Sequence, residues 1–173
     1  MLPRSTFVLG GAASGKSAWA EKLIESKRLN AVYVATGQAF DDETKKKIEI
    51  HRARRDARWR TVEAPHDIAP ALATAKPNEA VLIDCATMWL SNHLLVGTDL
   101  DDAQGGLIAA LRQSTAPVVI VSNEVGQGIV PENALARQFR EAQGRLNIAL
   151  AAEADLVVQV IAGLPQVLKG TLP

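Results

Sequence analysis

The sequence predicts an α/β fold in which helices cover both faces of a mostly parallel β-sheet. Five short apolar runs recur along the chain, at 5–9, 31–35, 80–83, 117–121 and 156–161. Most of them are continuously apolar, which is typical of strands buried on both faces. Helical patterns separate these runs, and such alternation favours parallel pairing. With 173 residues, of which 47% are apolar, we expect one domain spanning 1–173.

The helical patterns lie at 16–28, 41–56, 67–75, 86–95, 102–113 and 132–153. The last is the clearest, because apolar residues recur from Leu135 to Leu150 at intervals of three and four positions. Pro131, directly ahead of it, favours a helix start. Residues 165–169 are a candidate for one further edge strand. The segment 97–106 is polar and contains glycines, which predicts a mobile surface connection.

Composition excludes several classes of protein. Nineteen basic residues balance nineteen acidic ones, so no overall field attracts nucleic acid or a membrane. A single cysteine, Cys85, excludes a disulfide framework and suits a reducing compartment. We find no signal-peptide pattern and no apolar run long enough for a membrane span, so a cytoplasmic protein is expected. Cys85, His66, His93 and the three tryptophans (Trp19, Trp59 and Trp89) are predicted to be packing residues.

Residues 10–17 form the phosphate-binding loop, or P-loop, with the pattern G-x-x-x-x-G-K-[ST] between a predicted strand and a predicted helix. Its glycines let backbone N–H groups turn toward phosphate oxygens, and the N-terminus of the following helix favours the same anion. Lys16 is predicted to act on the β- and γ-phosphates, and the Ser17 hydroxyl to hold Mg²⁺. The chain is therefore expected to bind a nucleoside triphosphate.

Two predicted strands end in carboxylates. Asp84 follows the strand at 80–83, where P-loop enzymes place a carboxylate that organises Mg²⁺; the alternative for Asp84 is a helix N-cap. Glu124 follows the strand at 117–121 and begins a loop with two glycines. It is a candidate for a second carboxylate near Mg²⁺, for a base toward a substrate hydroxyl, or for a structural turn.

A cationic segment at 45–60 holds eight of the nineteen lysines and arginines, together with His51. Such a cluster is typical of a solvated helix face or a nucleic-acid patch. Neutral imidazole is also a nucleophile toward phosphorus, and neighbouring cations favour its neutral form. The same cations would bind a triphosphate and stabilise departing pyrophosphate. From composition alone, these alternatives stay open.

Several segments together resemble one known family. They occur in its order along essentially the whole chain, at 10–17, 33–36, 41–43, 51–63, 84–92, 122–133 and 144–147. The family is that of the bifunctional adenosylcobinamide kinase / adenosylcobinamide-phosphate guanylyltransferases of cobalamin biosynthesis. The run from Asn123 to Asn133 and the histidine-containing segment are far more specific than the P-loop, which many families share.

The resemblance implies a RecA-like P-loop fold, a homotrimer and two reactions. In the first, ATP or GTP phosphorylates the aminopropanol hydroxyl of adenosylcobinamide. In the second, GTP transfers GMP to a histidine and releases pyrophosphate, and the phosphorylated cobinamide then takes the GMP to give adenosylcobinamide-GDP. The resemblance places that histidine at His51. Lys16 is the second predicted catalytic residue, and Mg²⁺, held by Ser17 and Asp84, is the expected cofactor.

The nucleotide contacts implied by the P-loop and the resemblance are Gly10, Gly11, Ala12, Ala13, Ser14, Gly15, Lys16, Ser17, Val34, Ala35, Thr36, Arg52, Ala53, Arg54, Arg55, Glu63 and Asp84. Two other functions remain as alternatives. A single-activity P-loop kinase for a small molecule would leave the segment around His51 without a role. A nucleotide-binding regulatory module would form no covalent adduct and would have a nucleotide-dependent partner.

Overall fold

The computed structural model describes residues 1–38 and 55–173. Most of the predicted helix at 41–56 therefore lies outside the described residues, as do His51, Arg52, Ala53 and Arg54. Its last two residues, Arg55 and Asp56, are described and belong to no helix. No helix in these two ranges is long and apolar enough to cross a membrane.

A seven-stranded sheet organises the fold, with the strand order β3-β2-β4-β5-β1-β6-β7. Six strands are parallel, and β7 is antiparallel to β6 at one edge. In chain order the strands are β1 (Ser5–Gly10), β2 (Asn30–Ala35), β3 (Trp59–Glu63), β4 (Glu79–Asp84), β5 (Val118–Asn123), β6 (Leu156–Ile161) and β7 (Leu164–Lys169).

All five predicted strands and the candidate edge strand are confirmed, whereas β3 was not predicted. The reason is its position at the other edge of the sheet. Only Trp59 and Val62 in this strand are half-buried, the other three residues are exposed, and charged side chains interrupt the apolar pattern. Its first two residues, Trp59 and Arg60, also belong to the cationic segment, and the charges of that segment mask the pattern of a strand that pairs with β2.

Five helices are described: α1 (Lys16–Glu25), α2 (Ala69–Ala73), α3 (Ala86–Leu95), α4 (Leu100–Gln113) and α5 (Ala134–Glu153). The predicted surface connection at 97–106 is wrong beyond Asp99. The Asp99 carboxylate accepts hydrogen bonds from the N–H groups of Asp101 and Asp102, which caps α4 at that point. Asn133 caps α5 in the same way, through the N–H of Ala136.

Helices lie on both faces of the sheet, as predicted. On one face α1 buries Ala20 and Ile24 against apolar side chains of the central strands. On the other face α2, α3, α4 and α5 pack over a second core cluster. Each fully buried aliphatic or aromatic side chain contributes roughly 1.5–3 kcal/mol. Because both faces are covered, the inner strands need apolar residues at successive positions, which is why their runs are continuous.

An ion pair holds the edge strand β3 to the sheet. Arg60 on β3 donates to both carboxylate oxygens of Glu79 at 3.4 and 3.2 Å, and the Lys76 N–H donates to the same carboxylate at 2.8 Å. Glu79 begins β4, so the pair spans the intervening strand β2. These contacts hold the pKa of Glu79 below its ordinary value, and the Arg60 hydrogen bond is the largest cause.

Glu79→Gln should lower the free energy of unfolding at pH 7 by on the order of 1 kcal/mol, because Arg60 is 42% exposed and solvent weakens the pair. Since the folded-state pKa is lowered, the contribution is complete above the ordinary value of 4.5 and is lost as the pH falls through the folded-state pKa. Urea unfolding at pH 7 and at a series of lower pH values measures the difference, which should shrink as the pH falls below 4.5.

The matched control is Glu141→Gln, which removes an exposed partner of Arg145 on α5. The free energy of unfolding of this control variant should differ little from that of the wild type at any of these pH values. A pH-independent loss in Glu79→Gln would contradict the ionic origin of the effect.

Candidate active site

The carboxyl ends of the parallel strands bring most of the predicted site residues to one edge of the sheet. There β1 runs into the P-loop, β2 ends beside Thr36, β3 ends at Glu63 and β4 at Asp84. In the strand order, β3 lies four strand positions from β1. At ~4.8 Å per strand, the end of β3 is therefore about 19 Å from the strand that leads into the P-loop. The Val34 side chain is fully buried in the core, so this residue faces the site through its backbone alone.

The P-loop has the geometry expected of an anion cradle. Gly15 precedes α1 with a φ of 90°, in the left-handed region that favours glycine. Within the described residues no side chain caps α1 and no acid lies in its first turn, so its N-terminal N–H groups face the loop. Lys16 Nζ donates to the Gly11 carbonyl at 3.1 Å, which places the ammonium over the loop.

A neighbouring turn supports the P-loop from the side. The Gly163 N–H, between β6 and β7, donates to the Ser14 carbonyl at 2.8 Å. A Cβ at Gly15 would lie 3.1 Å from Gly163 Cα. A Cβ at Gly10 would lie 2.4 Å from Ser14 Oγ and 2.7 Å from the Val160 carbonyl. The loop therefore packs tightly against β6 and its turn, a contact that the motif alone does not predict.

Asp84 and Lys16 lie close enough to interact electrostatically. Burial lowers the pKa of Lys16, while its electrostatic coupling to the titrating groups of Cys85 and Asp84 acts in the opposite direction. Burial also raises the pKa of the Cys85 thiol to about 11, with Asp84 as the next cause, so the thiol stays protonated at neutral pH. This agrees with the predicted packing role of Cys85. The peptide bond between Asp84 and Cys85 is cis.

Thr36 joins the ends of β2 and β4. Its hydroxyl donates to the Cys85 carbonyl and accepts from the Cys85 N–H, both at 2.7 Å. Asn92 on α3 donates to the carbonyls of Thr36 and Pro65, at 2.8 and 2.9 Å. These bonds fix the backbone at Thr36, one of the predicted nucleotide contacts.

A buried polar network fixes the end of β5, which lies between the P-loop strand and β4. Asn147 on α5 accepts from Ser122 Oγ at 2.7 Å and from Gln143 Nε2 at 2.9 Å, and donates to the Asn123 carbonyl at 3.1 Å. The Asn123 N–H in turn donates to Thr87 Oγ1 at 2.8 Å. The network was not predicted, although Asn147 lies in one of the segments that carry the resemblance.

Glu124 follows this network and begins the loop to α5. Its N–H donates to the Gly10 carbonyl at 3.0 Å, which ties the loop to the P-loop. Its carboxylate accepts a hydrogen bond from the Gly126 N–H. Of the three candidate roles for Glu124, this geometry favours the structural turn.

Tyr33 is a site residue that sequence reasoning missed. It is 7% exposed, and its hydroxyl donates to Asp84 Oδ2 at 3.3 Å. The Arg55 guanidinium carbon lies 3.5 Å from the centre of the Tyr33 ring. Burial, followed by the Asp84 charge, raises the pKa of Tyr33 far above its ordinary value, so the phenol keeps its proton. The one sequence signal that could have identified Tyr33 is its position two residues before the end of β2.

The histidines at 66 and 93 belong to a separate cluster with Trp89. The Trp89 N–H donates to the His66 carbonyl at 2.6 Å, and the His93 ring lies 4.5 Å from the Trp89 ring. They line a groove of about 300 Å³ beside α2 and α4. Trp89 is 3% exposed and Trp19 and Trp59 are half-buried, in agreement with the predicted packing roles.

Comparison with known proteins identifies the family of this chain. Residues 6–168 match the model of a family described as cobinamide kinase / cobinamide phosphate guanyltransferase. The chain belongs to this family. It is 42% identical over 166 residues to the bifunctional adenosylcobalamin biosynthesis protein CobP of Pseudomonas aeruginosa, covering 94% of this chain and 96% of the relative. It is 44% identical over 173 residues to the protein CobU of Escherichia coli, covering 91% and 95%.

Solved structures at low identity resemble this family member in fold alone. The flagellar accessory protein FlaH of Methanocaldococcus jannaschii matches with a TM-score of 0.53 at 12% identity, over 98% of this chain and 80% of that one. An ATPase of a bacterial type III secretion system matches with a TM-score of 0.60 at 10% identity, over 96% and 57%. The predicted RecA-like P-loop fold is confirmed.

Gly10→Ala should weaken GTP binding by about tenfold or more, because the added Cβ meets Ser14 and the Val160 carbonyl and must displace the loop. A displaced loop loses N–H bonds to a charged ligand that are worth roughly 1.5–3 kcal/mol each. Calorimetric titration with GTP measures the loss. As a control, Gly105→Ala lies on α4, where the new Cβ meets no described atom within 4 Å apart from its chain neighbours and the backbone of its own helix, and this variant should bind GTP normally.

Asn147→Ala should lower the free energy of unfolding by about 2–3 kcal/mol, because it leaves Ser122, Gln143 and the Asn123 carbonyl without this partner in a buried site. Urea unfolding measures the change. Ile148→Ala is the control, since Ile148 is the next residue on α5 and is 72% exposed; it should change stability by less than about 0.5 kcal/mol. Equal effects in the two variants would contradict the role of the network.

Proposed function

We propose that this chain phosphorylates adenosylcobinamide with a nucleoside triphosphate and then transfers GMP from GTP to the product, through His51, to give adenosylcobinamide-GDP and pyrophosphate. One observation above all supports this. A complete P-loop faces Asp84 at the carboxyl edge of the sheet, in a chain 42–44% identical to relatives named bifunctional adenosylcobalamin biosynthesis proteins.

In the kinase step, the substrate hydroxyl attacks the γ-phosphorus and the nucleoside diphosphate leaves. The P-loop N–H groups and Lys16 bind the phosphates and stabilise the charge that develops on their oxygens. Positioning supplies most of the rate, because the P-loop holds the phosphate group and orients it toward the hydroxyl.

Ser17 and Asp84 fit Mg²⁺, since both offer oxygen ligands and Mg²⁺ takes its remaining ligands from phosphate and water. Among residues 1–38 and 55–173 there is no cluster of three or more His, Cys, Asp or Glu side chains that would form an all-protein metal cage. An ion held there would neutralise charge on the phosphates.

In the guanylyltransfer step, His51 attacks the α-phosphorus of GTP, a P–N bond forms and the bond to pyrophosphate breaks. A phosphate oxygen of the phosphorylated cobinamide then attacks the same phosphorus and releases the histidine. Arg52, Arg54 and Arg55 are the cations proposed to stabilise the leaving pyrophosphate. The position of Arg55, over Tyr33 and near Asp84, supports a role for this segment beside the P-loop.

The nucleotide contacts proposed are those inferred from the sequence: residues 10–17, 34–36, 52–55, Glu63 and Asp84. The small-molecule partners are a corrinoid and a nucleoside triphosphate, with no nucleic acid. The family resemblance supports a single domain over 1–173, a homotrimer and a cytoplasmic location.

Incubation with GTP labelled at the α-phosphorus tests the proposal. The wild-type protein should acquire a label that is stable in base and labile in acid, as expected of a P–N bond. His51→Ala should take up no label and should keep its kinase activity toward adenosylcobinamide. Arg58→Ala is the matched control, because it removes an exposed cation of the same segment that pairs with Asp56; its labelling should equal that of the wild type.

Other outcomes would identify the alternatives. Kinase activity in an unlabelled wild-type protein would indicate a single-activity kinase. Nucleotide binding with neither activity would indicate a regulatory module.

A further inference from the structure

Tyr33 contacts two proposed parts of the active site at once. It is the chain's single tyrosine, and it interrupts an otherwise aliphatic run on β2. Its side chain lies on the α1 face of the sheet, among residues packed below the P-loop. An aliphatic residue would fill this place without burying a hydroxyl that needs a hydrogen-bond partner. Packing alone therefore does not explain why a tyrosine stands here.

The hydroxyl end of Tyr33 contacts the proposed Mg²⁺ ligand. It donates to Asp84 Oδ2 at 3.3 Å across the β2–β4 pair, where Tyr33 lies opposite Leu82, two residues before Asp84. A carboxylate on the last residue of a strand can adopt several rotamers. A buried donor at a fixed distance selects one of them.

The ring of Tyr33 contacts Arg55, the first residue described after 39–54. The guanidinium carbon lies 3.5 Å from the ring centre, well within the range of a cation–π contact. This contact uses the face of the guanidinium, whereas its hydrogen bonds leave from its edges. The ring therefore holds Arg55 without using an N–H that phosphate recognition needs.

We propose that Tyr33 is a positioning residue for the magnesium–nucleotide complex, in which its hydroxyl sets the orientation of Asp84 and its ring anchors Arg55 beside the triphosphate. This rests on the proposed function. Neither contact touches the reacting atoms, so Tyr33 acts through its two partners. The two contacts are separable, because one belongs to the oxygen and the other to the ring.

Tyr33→Phe tests the hydroxyl alone, since the ring stays in place. The Mg²⁺ concentration for half-maximal GTP binding should rise about tenfold, whereas GTP affinity without Mg²⁺ should stay unchanged. Equilibrium titrations at graded Mg²⁺ measure both. Thr6→Val is the matched control. It also removes a buried strand hydroxyl, one that has no hydrogen-bond partner among the described residues, and it should change neither value.

Tyr33→Leu tests the ring. It should show the same shift in Mg²⁺ dependence and, in addition, an about threefold to tenfold loss of GTP affinity without Mg²⁺. Arg55→Ala should show the second loss alone. In a double-mutant cycle, Arg55→Ala should cost almost nothing further in the Tyr33→Leu background.

The inference is overturned if Tyr33→Phe keeps the wild-type Mg²⁺ dependence, or if Tyr33→Leu and Tyr33→Phe bind GTP equally without Mg²⁺. Thermal unfolding of each variant verifies that the titrated protein is folded. Both titrations measure binding, so they decide about Tyr33 even if the wild type forms no GMP adduct, a result that would refute only the guanylylation step.

Discussion

The parallel pairing of six strands is the constraint on which the rest of this structure depends. Parallel strands all end at the same edge of a sheet, so the residues that follow them meet there whatever their separation in sequence. Here that edge gathers the P-loop, Thr36, Asp84 and the backbone of Asn123. Burial on both faces keeps the pairing in place, because every inner strand presents apolar side chains to helices above and below.

The shape of the P-loop depends on its surroundings as much as on its own glycines. Gly10 lies against Val160, and Gly15 against Gly163, so β6 and the turn after it form one wall of the loop. On the other side, the N–H of Glu124 binds the Gly10 carbonyl. The phosphate-binding backbone is therefore preorganised by two elements that lie more than a hundred residues further along the chain.

The fold class, five inner strands and the P-loop could be predicted because each leaves a local pattern, either a continuous apolar run or a fixed spacing of glycines. The edge strand β3 could not, because its exposed polar residues, such as Arg60 and Thr61, resemble a loop. Tyr33 and Asn147 were missed for another reason. Their roles arise from partners on other elements, Asp84 and Ser122, and such contacts exist only once the chain is folded.

The bond from Gly163 to Ser14 links residues about 150 positions apart in the sequence, with a consequence for biosynthesis. Contacts of such long sequence separation form late, since most of the polypeptide must be present before they can close. A ribosome-bound fragment that already contains residues 10–17 but lacks β6 has the sequence of the P-loop without the strand and turn that pack against it. The growing polypeptide should therefore acquire tight phosphate affinity only after β6 and the turn at Gly163 have been translated.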